Sequence, residues 1–138
     1  MSKTFTCPFI QNVSPAVPQV FQNADGTNIK TCYTAGADDS IVKAIIVTST
    51  DSAARDIQFQ LSDGTTNFQL RRIAVPASAG NSTTVGPVDA LSTFTGLPFD
   101  EYGNRVIRLR RGFQIRANMV TAVTANTTIA VIILGEDY

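Results

Sequence analysis

Asp56-Ile57-Gln58-Phe59-Gln60-Leu61, then Ser62-Asp63-Gly64-Thr65, then Asn67-Phe68-Gln69-Leu70-Arg71-Arg72-Ile73 is the stretch that decides the fold. Side chains of an extended chain point alternately to opposite faces, so strict apolar/polar alternation marks a half-buried strand. The first run sends Ile57, Phe59 and Leu61 to one face, and the second run resumes the alternation after a turn. Asp-Gly between two such runs is a hairpin signal, because glycine supplies the positive φ that tight turns need.

Outward from this hairpin the same grammar repeats. Ile29 to Thr34 reads as a strand, and Ile41 to Thr48, mostly apolar and β-branched, reads as a central one with Lys43 near an end. Arg105 to Arg110 and Phe113 to Asn118 flank a turn at Arg111-Gly112, and Thr127 to Leu134 closes the chain before a short acidic tail, Gly135-Glu136-Asp137-Tyr138. No window keeps the 3, 4, 7 apolar spacing of a helix. Seven to nine short strands with turn residues between them predict an all-β fold, an antiparallel two-sheet sandwich that is jelly-roll-like. Pro76 to Pro98 reads as a long surface-running loop, where binding often resides.

The N-terminal stretch differs. Thr4-Phe5-Thr6-Cys7-Pro8-Phe9 alternates but contains a proline, and Pro15 and Pro18 follow. Proline removes a backbone donor and holds the chain extended, which suits an edge strand or an arm. Residues 1–22 are therefore expected to form an extended N-terminal arm or edge strand, and residues 23–138 the sandwich domain. The apolar residues Phe5, Phe9, Val13, Val17 and Phe21 can pack back on their own sandwich or add along a neighbour's sheet edge.

Composition limits the chemistry. The 138 residues suit one domain with a sizeable core. Apolar residues make up 43% and charged residues 16%, against about 25% charged in an average soluble domain, which is the opposite of a disordered chain. Eleven basic and eleven acidic residues give a formal charge of zero, so no strong field is built toward nucleic acid or an anionic membrane. Histidine is absent, which removes the Ser-His-Asp and Cys-His nucleophile systems, imidazole zinc sites and the commonest general base. Neither a catalytic residue, a metal ligand nor a cofactor-binding residue is nominated, and no cofactor is expected.

Carboxylates remain as possible catalysts. The pairs Asp38-Asp39, Asp100-Glu101 and Glu136-Asp137 are adjacent in sequence and lie in turns or at the end. Neighbours on a strand point to opposite faces, so these read as solvated charges rather than working pairs. Asp25-Gly26 and Asp63-Gly64 resemble fragments of calcium loops, but the ligand series that closes on Glu is missing. Cys7 and Cys32 read as small apolar side chains in strands. Met1 to Pro8 has no apolar run of the kind a signal peptide needs, so the expectation is a protein made in the cytoplasm. The longest apolar run, Ile129 to Leu134, falls far short of the roughly 20 residues of a membrane-spanning helix.

The arginines are asymmetric. Residues 64–138 hold seven Arg and no Lys, and Arg105, Arg108, Arg110, Arg111 and Arg116 follow one another with no acid between. Alternation puts Arg108 and Arg110 on one face of a strand, with Arg116 or Arg71 as possible additions. Arg is enriched at protein interfaces because its planar fork pairs bidentately with carboxylates. Direct nucleic-acid binding is not expected, since no aromatic platform accompanies these charges. Phe5, Phe9, Arg105, Arg108, Arg110, Arg111 and Arg116 are the candidate interface residues. A sugar-binding sandwich would instead depend on Tyr33 or Tyr102.

Leu97-Pro98-Phe99-Asp100, Gly103-Asn104, the strand to Leu109, Arg111-Gly112-Phe113, Ala122-Val123-Thr124-Ala125, the apolar strand and Gly135-Glu136-Asp137-Tyr138 together resemble small virion proteins of tailed bacteriophages, among them jelly-roll cement (decoration) proteins of the head. The resemblance covers about a third of the chain in motifs. It implies a non-enzymatic protein on the outer surface of the phage head, stabilising joints between major capsid subunits. The expected partners are the major capsid protein and the chain itself, as a homodimer or trimer, with no membrane. A head-fibre base or tail protein, or a small carbohydrate-binding sandwich, is the alternative.

Overall fold

The computed structural model describes the backbone from Asn12 to Tyr138, with side chains from Pro18 onward. Nine strands follow in order: β1 Asn12–Gln22, β2 Lys30–Thr34, β3 Ser40–Ser49, β4 Arg55–Ser62, β5 Asn67–Val75, β6 Val88–Asp89, β7 Ile107–Leu109, β8 Gln114–Met119 and β9 Thr128–Asp137. Two 3-10 turns, Asn23–Asp25 and Leu91–Thr93, interrupt them. All strand pairs are antiparallel and form two sheets. Sheet A runs β1-β9-β3-β6 with β7 also beside β3, and sheet B runs β2-β8-β4-β5. The chain is an all-β, two-sheet sandwich.

The expected hairpin is β4–β5, paired from Arg55 opposite Val75 to Ser62 opposite Asn67. Its turn works through Asp63, whose Oδ1 accepts the backbone N–H groups of Thr65 at 2.9 Å and Thr66 at 2.7 Å. Gly64 beside it takes φ 104, a region that disfavours any side chain. β3 lies inside its sheet, with β9 along one edge and β6 and β7 along the other.

The core lies between the sheets. Val42, Ile45, Val47, Ile129, Val131 and Ile133 from sheet A meet Ile57, Phe59, Ile115, Ala117 and Met119 from sheet B, all fully buried. Each such aliphatic contributes about 1.5–3 kcal/mol relative to exposure, so these strands dominate stability.

The stretch from Pro76 to Pro98 is mostly exposed, as a surface-running loop should be, but it is pinned to the core at four points. Ala79, Ala90, Leu91 and Phe94 are buried there, and Phe94 packs edge-on against Phe59 with ring centroids 5.8 Å apart. β6 supplies only two residues to sheet A. One expectation needs correction: the acidic ending is not a tail. Gly135, Glu136 and Asp137 pair with both β1 and β3, since backbone pairing continues after the apolar alternation stops.

Candidate functional site

Among the described residues no group of His, Cys, Asp or Glu is placed to hold a metal ion. Four of the adjacent acidic residues, Asp39, Asp100, Glu136 and Asp137, make structural contacts. Asp39 Oδ1 accepts the Arg111 backbone N–H at 2.7 Å, and Asp100 Oδ1 accepts those of Tyr102 and Asn104 at 2.9 and 2.8 Å. Glu136 sits 3.3 Å from Lys43 Nζ, a purely Coulombic contact because that oxygen has no hydrogen-bond partner. Asp137 Oδ1 accepts the Tyr33 hydroxyl at 2.8 Å and the Ser40 hydroxyl.

Among the described residues, the one carboxylate wholly removed from solvent is Asp51. It receives N–H groups from Ala53 at 2.9 Å and Thr124 at 3.0 Å, the Thr124 hydroxyl at 2.8 Å and Arg55 Nε at 2.9 Å. Burial alone raises its pKa, but these four donors together outweigh burial and hold the carboxyl well below the usual range. Every donor is a structural group of the chain, so Asp51 ties the β3–β4 connection to the β8–β9 connection. Ser49-Thr50-Asp51-Ser52 reads as an ordinary polar turn, because its key partner Thr124 lies 73 residues away.

The arginines are the asymmetry that survives folding. Four ion pairs occur among the described residues: Lys30–Asp25, Lys43–Glu136, Arg55–Asp51 and Arg72–Asp56. Arg71, Arg105, Arg108, Arg110 and Arg111 take part in none of them. β7 is only three residues long, yet its Ile107 and Leu109 are buried while Arg108 is forced outward by alternation. Arg108 and Arg110, with Asp38, Asp39 and Tyr138, line an open groove of about 490 Å³. The Arg105 guanidinium carbon stands 4.8 Å from the centre of the Phe99 ring, a cation–π contact that anchors the group without using its hydrogen-bond donors. Thus Arg105, Arg108, Arg110 and Arg111 are gathered on β7 and its flanks.

Arg116 is elsewhere. On β8, in sheet B, it donates to Gln114 Oε1 at 2.8 Å and Asn67 Oδ1 at 3.0 Å, and approaches Gly64 O at 3.4 Å. It fastens the hairpin turn and does not extend the β7 cluster. Arg71 stands on β5, an edge of sheet B. Phe5 and Phe9 lie outside the described residues.

Of the two tyrosines considered for sugar binding, Tyr33 is 4% exposed and Tyr102 79% exposed. A strand irregularity between Thr31 and Tyr33 turns the Tyr33 ring inward, toward Asp137. Tyr102 and Phe99 project beside a second groove of about 670 Å³, also lined by Lys43, Ala44, Ile46, Asp89, Asp100 and Arg105. Cys32 is a free thiol, buried among core residues, and burial pushes its pKa up to about 12. Cys7 lies outside the described residues.

No family model and no curated protein matches the chain. Among solved structures it is similar to a pentameric capsid protein isolated from metagenomic phage sequences. That match has 19% identity and a TM-score of 0.40, covering 88% of this chain and 62% of the other. The chain therefore spans less than two thirds of that protein's length. A second pentameric capsid protein from metagenomic phage sequences matches at 17% identity and a TM-score of 0.39, over 99% of this chain and 82% of the other. Likenesses this remote carry no conclusion about function. Among the described residues no helix is long and apolar enough to cross a membrane.

Proposed function

We propose that this chain is a non-enzymatic structural protein of a phage virion, which binds the assembled head and stabilises contacts between major capsid subunits. The observation that carries the proposal is the cluster of Arg105, Arg108, Arg110 and Arg111, none of which has an ion-pair partner among the described residues. Guanidinium groups on a rigid strand, engaged in no ion pair among the described residues although Asp38 and Asp39 line the same groove, are suited to acidic side chains on another protein surface. The cluster also lies within the segment Leu97–Tyr138 that resembles cement proteins. Phe5 and Phe9 are proposed as a second contact, inserted along a neighbouring sheet edge. Each contact is weak by itself, and many copies over a symmetric shell act together through multivalency.

Co-sedimentation of the purified protein with heads that lack it tests the proposal. The wild type is expected to saturate at a simple ratio to capsid subunits. Reversal of two arginines, Arg108→Glu with Arg110→Glu, is expected to weaken binding by about 30-fold or more, as for lost charge pairs at an interface. Unchanged binding by the doubly reversed protein would remove the arginine cluster from the contact. A second reading, sugar binding, is favoured by one observation, the exposed Phe99 and Tyr102 beside a groove with polar side chains. It requires a glycan-induced rise in melting temperature that Tyr102→Ala abolishes.

A further inference from the structure

The two sheets differ on the faces turned away from the core. The outer face of sheet B carries Gln58, Gln114, Arg116 and Asn118, polar side chains that are half-buried, with Gln60 buried among them. In sheet A, alternation sends Ile129, Val131 and Ile133 of β9 inward at 0% exposure and leaves Ala130, Ile132 and Leu134 outward. Their β3 partners are Thr48, Ile46 and Ala44. Across β9 and β3 this outer face is therefore small and aliphatic, with Leu134 37% exposed. A strand apolar on both faces is the pattern of a sheet covered on both sides. Phe99 and Tyr102, 60% and 79% exposed, stand at the rim of the same face above the groove floored by Ala44 and Ile46.

We infer that this outer face of sheet A is a contact between two copies of the chain, paired about a two-fold axis. Three observations choose a second copy as the occupant. The face and its rim carry Lys43, Arg105 and Arg108 against Asp89, Asp100 and Glu136, so two copies meet without net repulsion, and each supplies both signs. A sheet four strands wide with ten-residue central strands offers about 600 Å² by strand spacing and rise. With the projecting Phe99–Tyr102 loop added, this approaches the about 800 Å² per partner of a standard specific interface. The other apolar edge, β5, carries Arg71 in no ion pair among the described residues, while Arg72 is paired with Asp56, so self-pairing there would bring the Arg71 charges of two copies together. The inference does not depend on the capsid reading.

Analytical ultracentrifugation of the full chain tests it. The wild type is expected at twice the 14.8 kDa chain mass at micromolar concentration, and Leu134→Glu at the single mass with unchanged circular dichroism. Phe68→Glu on β5 is expected to remain dimeric. A wild-type monomer at 100 µM, a trimer or larger ring, or a dimer undisturbed by Leu134→Glu would overturn the inference. Should Leu134→Glu fail to fold, Ile46→Cys in a Cys7→Ser background provides the second route. Oxidation is expected to yield a covalent dimer, whereas Gln69→Cys in the same background stays uncrosslinked. Absence of the Ile46→Cys crosslink would also overturn it.

Discussion

The Tyr33 hydroxyl on β2 donates to Asp137 Oδ1 on β9 at 2.8 Å, joining sheet B to sheet A across 104 residues of sequence. Asp137 also accepts the Ser40 hydroxyl, which in turn accepts the Gly36 backbone N–H at 2.8 Å. The end of the chain thereby closes one end of the sandwich. Gly135 makes room for it, since a Cβ there would stand 2.8 Å from the Tyr33 hydroxyl and 3.0 Å from the Ile41 carbonyl oxygen. Gly135→Ala is expected to cost about 1–3 kcal/mol through overpacking. Tyr33→Phe is expected to cost about 1 kcal/mol through the lost hydrogen bond. Removing the hydroxyl relieves the nearest of three close contacts, leaving Tyr33 Cζ and the Ile41 carbonyl oxygen each at 3.0 Å, so the double variant should lose less than the sum of the singles. Urea unfolding of the four proteins measures this, and strict additivity would contradict the packing described.

Asp51 predicts a pH dependence. A carboxyl whose folded pKa lies below its unfolded value of 3.8 stabilises the fold fully above that value. This contribution is lost as pH falls through the unfolded pKa toward the folded one. Asp51→Asn is expected to be less stable at pH 7 by about 2–4 kcal/mol, because Arg55 loses its partner and the Thr124 contacts weaken. Its melting temperature should fall less between pH 5 and pH 2 than that of the wild type. Parallel curves for the two proteins would show that Asp51 is not held in the charged form. Asp25 and Asp63, lowered by their own hydrogen bonds, act in the same direction in both proteins and cancel in the difference.

Cys32 predicts a chemical silence. Burial disfavours its thiolate, the reactive form, and raises its pKa to about 12. In the folded protein at pH 8 its alkylation should be slower than that of an unfolded chain by orders of magnitude, and denaturant should restore full reactivity. Peptide mapping after iodoacetamide treatment separates Cys32 from Cys7. Rapid native labelling at Cys32 would mean that β2 detaches from the sandwich.

Much of the fold was legible because its information is local. Ile57, Phe59 and Leu61 state their face by alternation, and Asp63-Gly64 states the turn, so the hairpin follows from eighteen consecutive residues. The inward position of Tyr33 was not legible. It depends on a strand irregularity and on an acid at the far end of the chain, neither of which leaves a periodic mark. In Pro76 to Pro98 the loop was legible but its anchors were not, since Ala79, Leu91 and Phe94 reach the core singly, without the repeat that a strand or helix imposes. At the candidate surface, the run of arginines marked the cluster on β7. The separation of Arg116 into the other sheet could be seen only once β8 had been placed beside β4.

The measurement closest to the capsid proposal is quantitative mass spectrometry of gradient-purified phage particles from a lysate in which the chain is produced. Head decoration predicts a copy number equal to that of the major capsid protein or a simple fraction of it. Tens of copies or fewer would place the chain in a tail or fibre, and its absence from particles would contradict a virion role altogether.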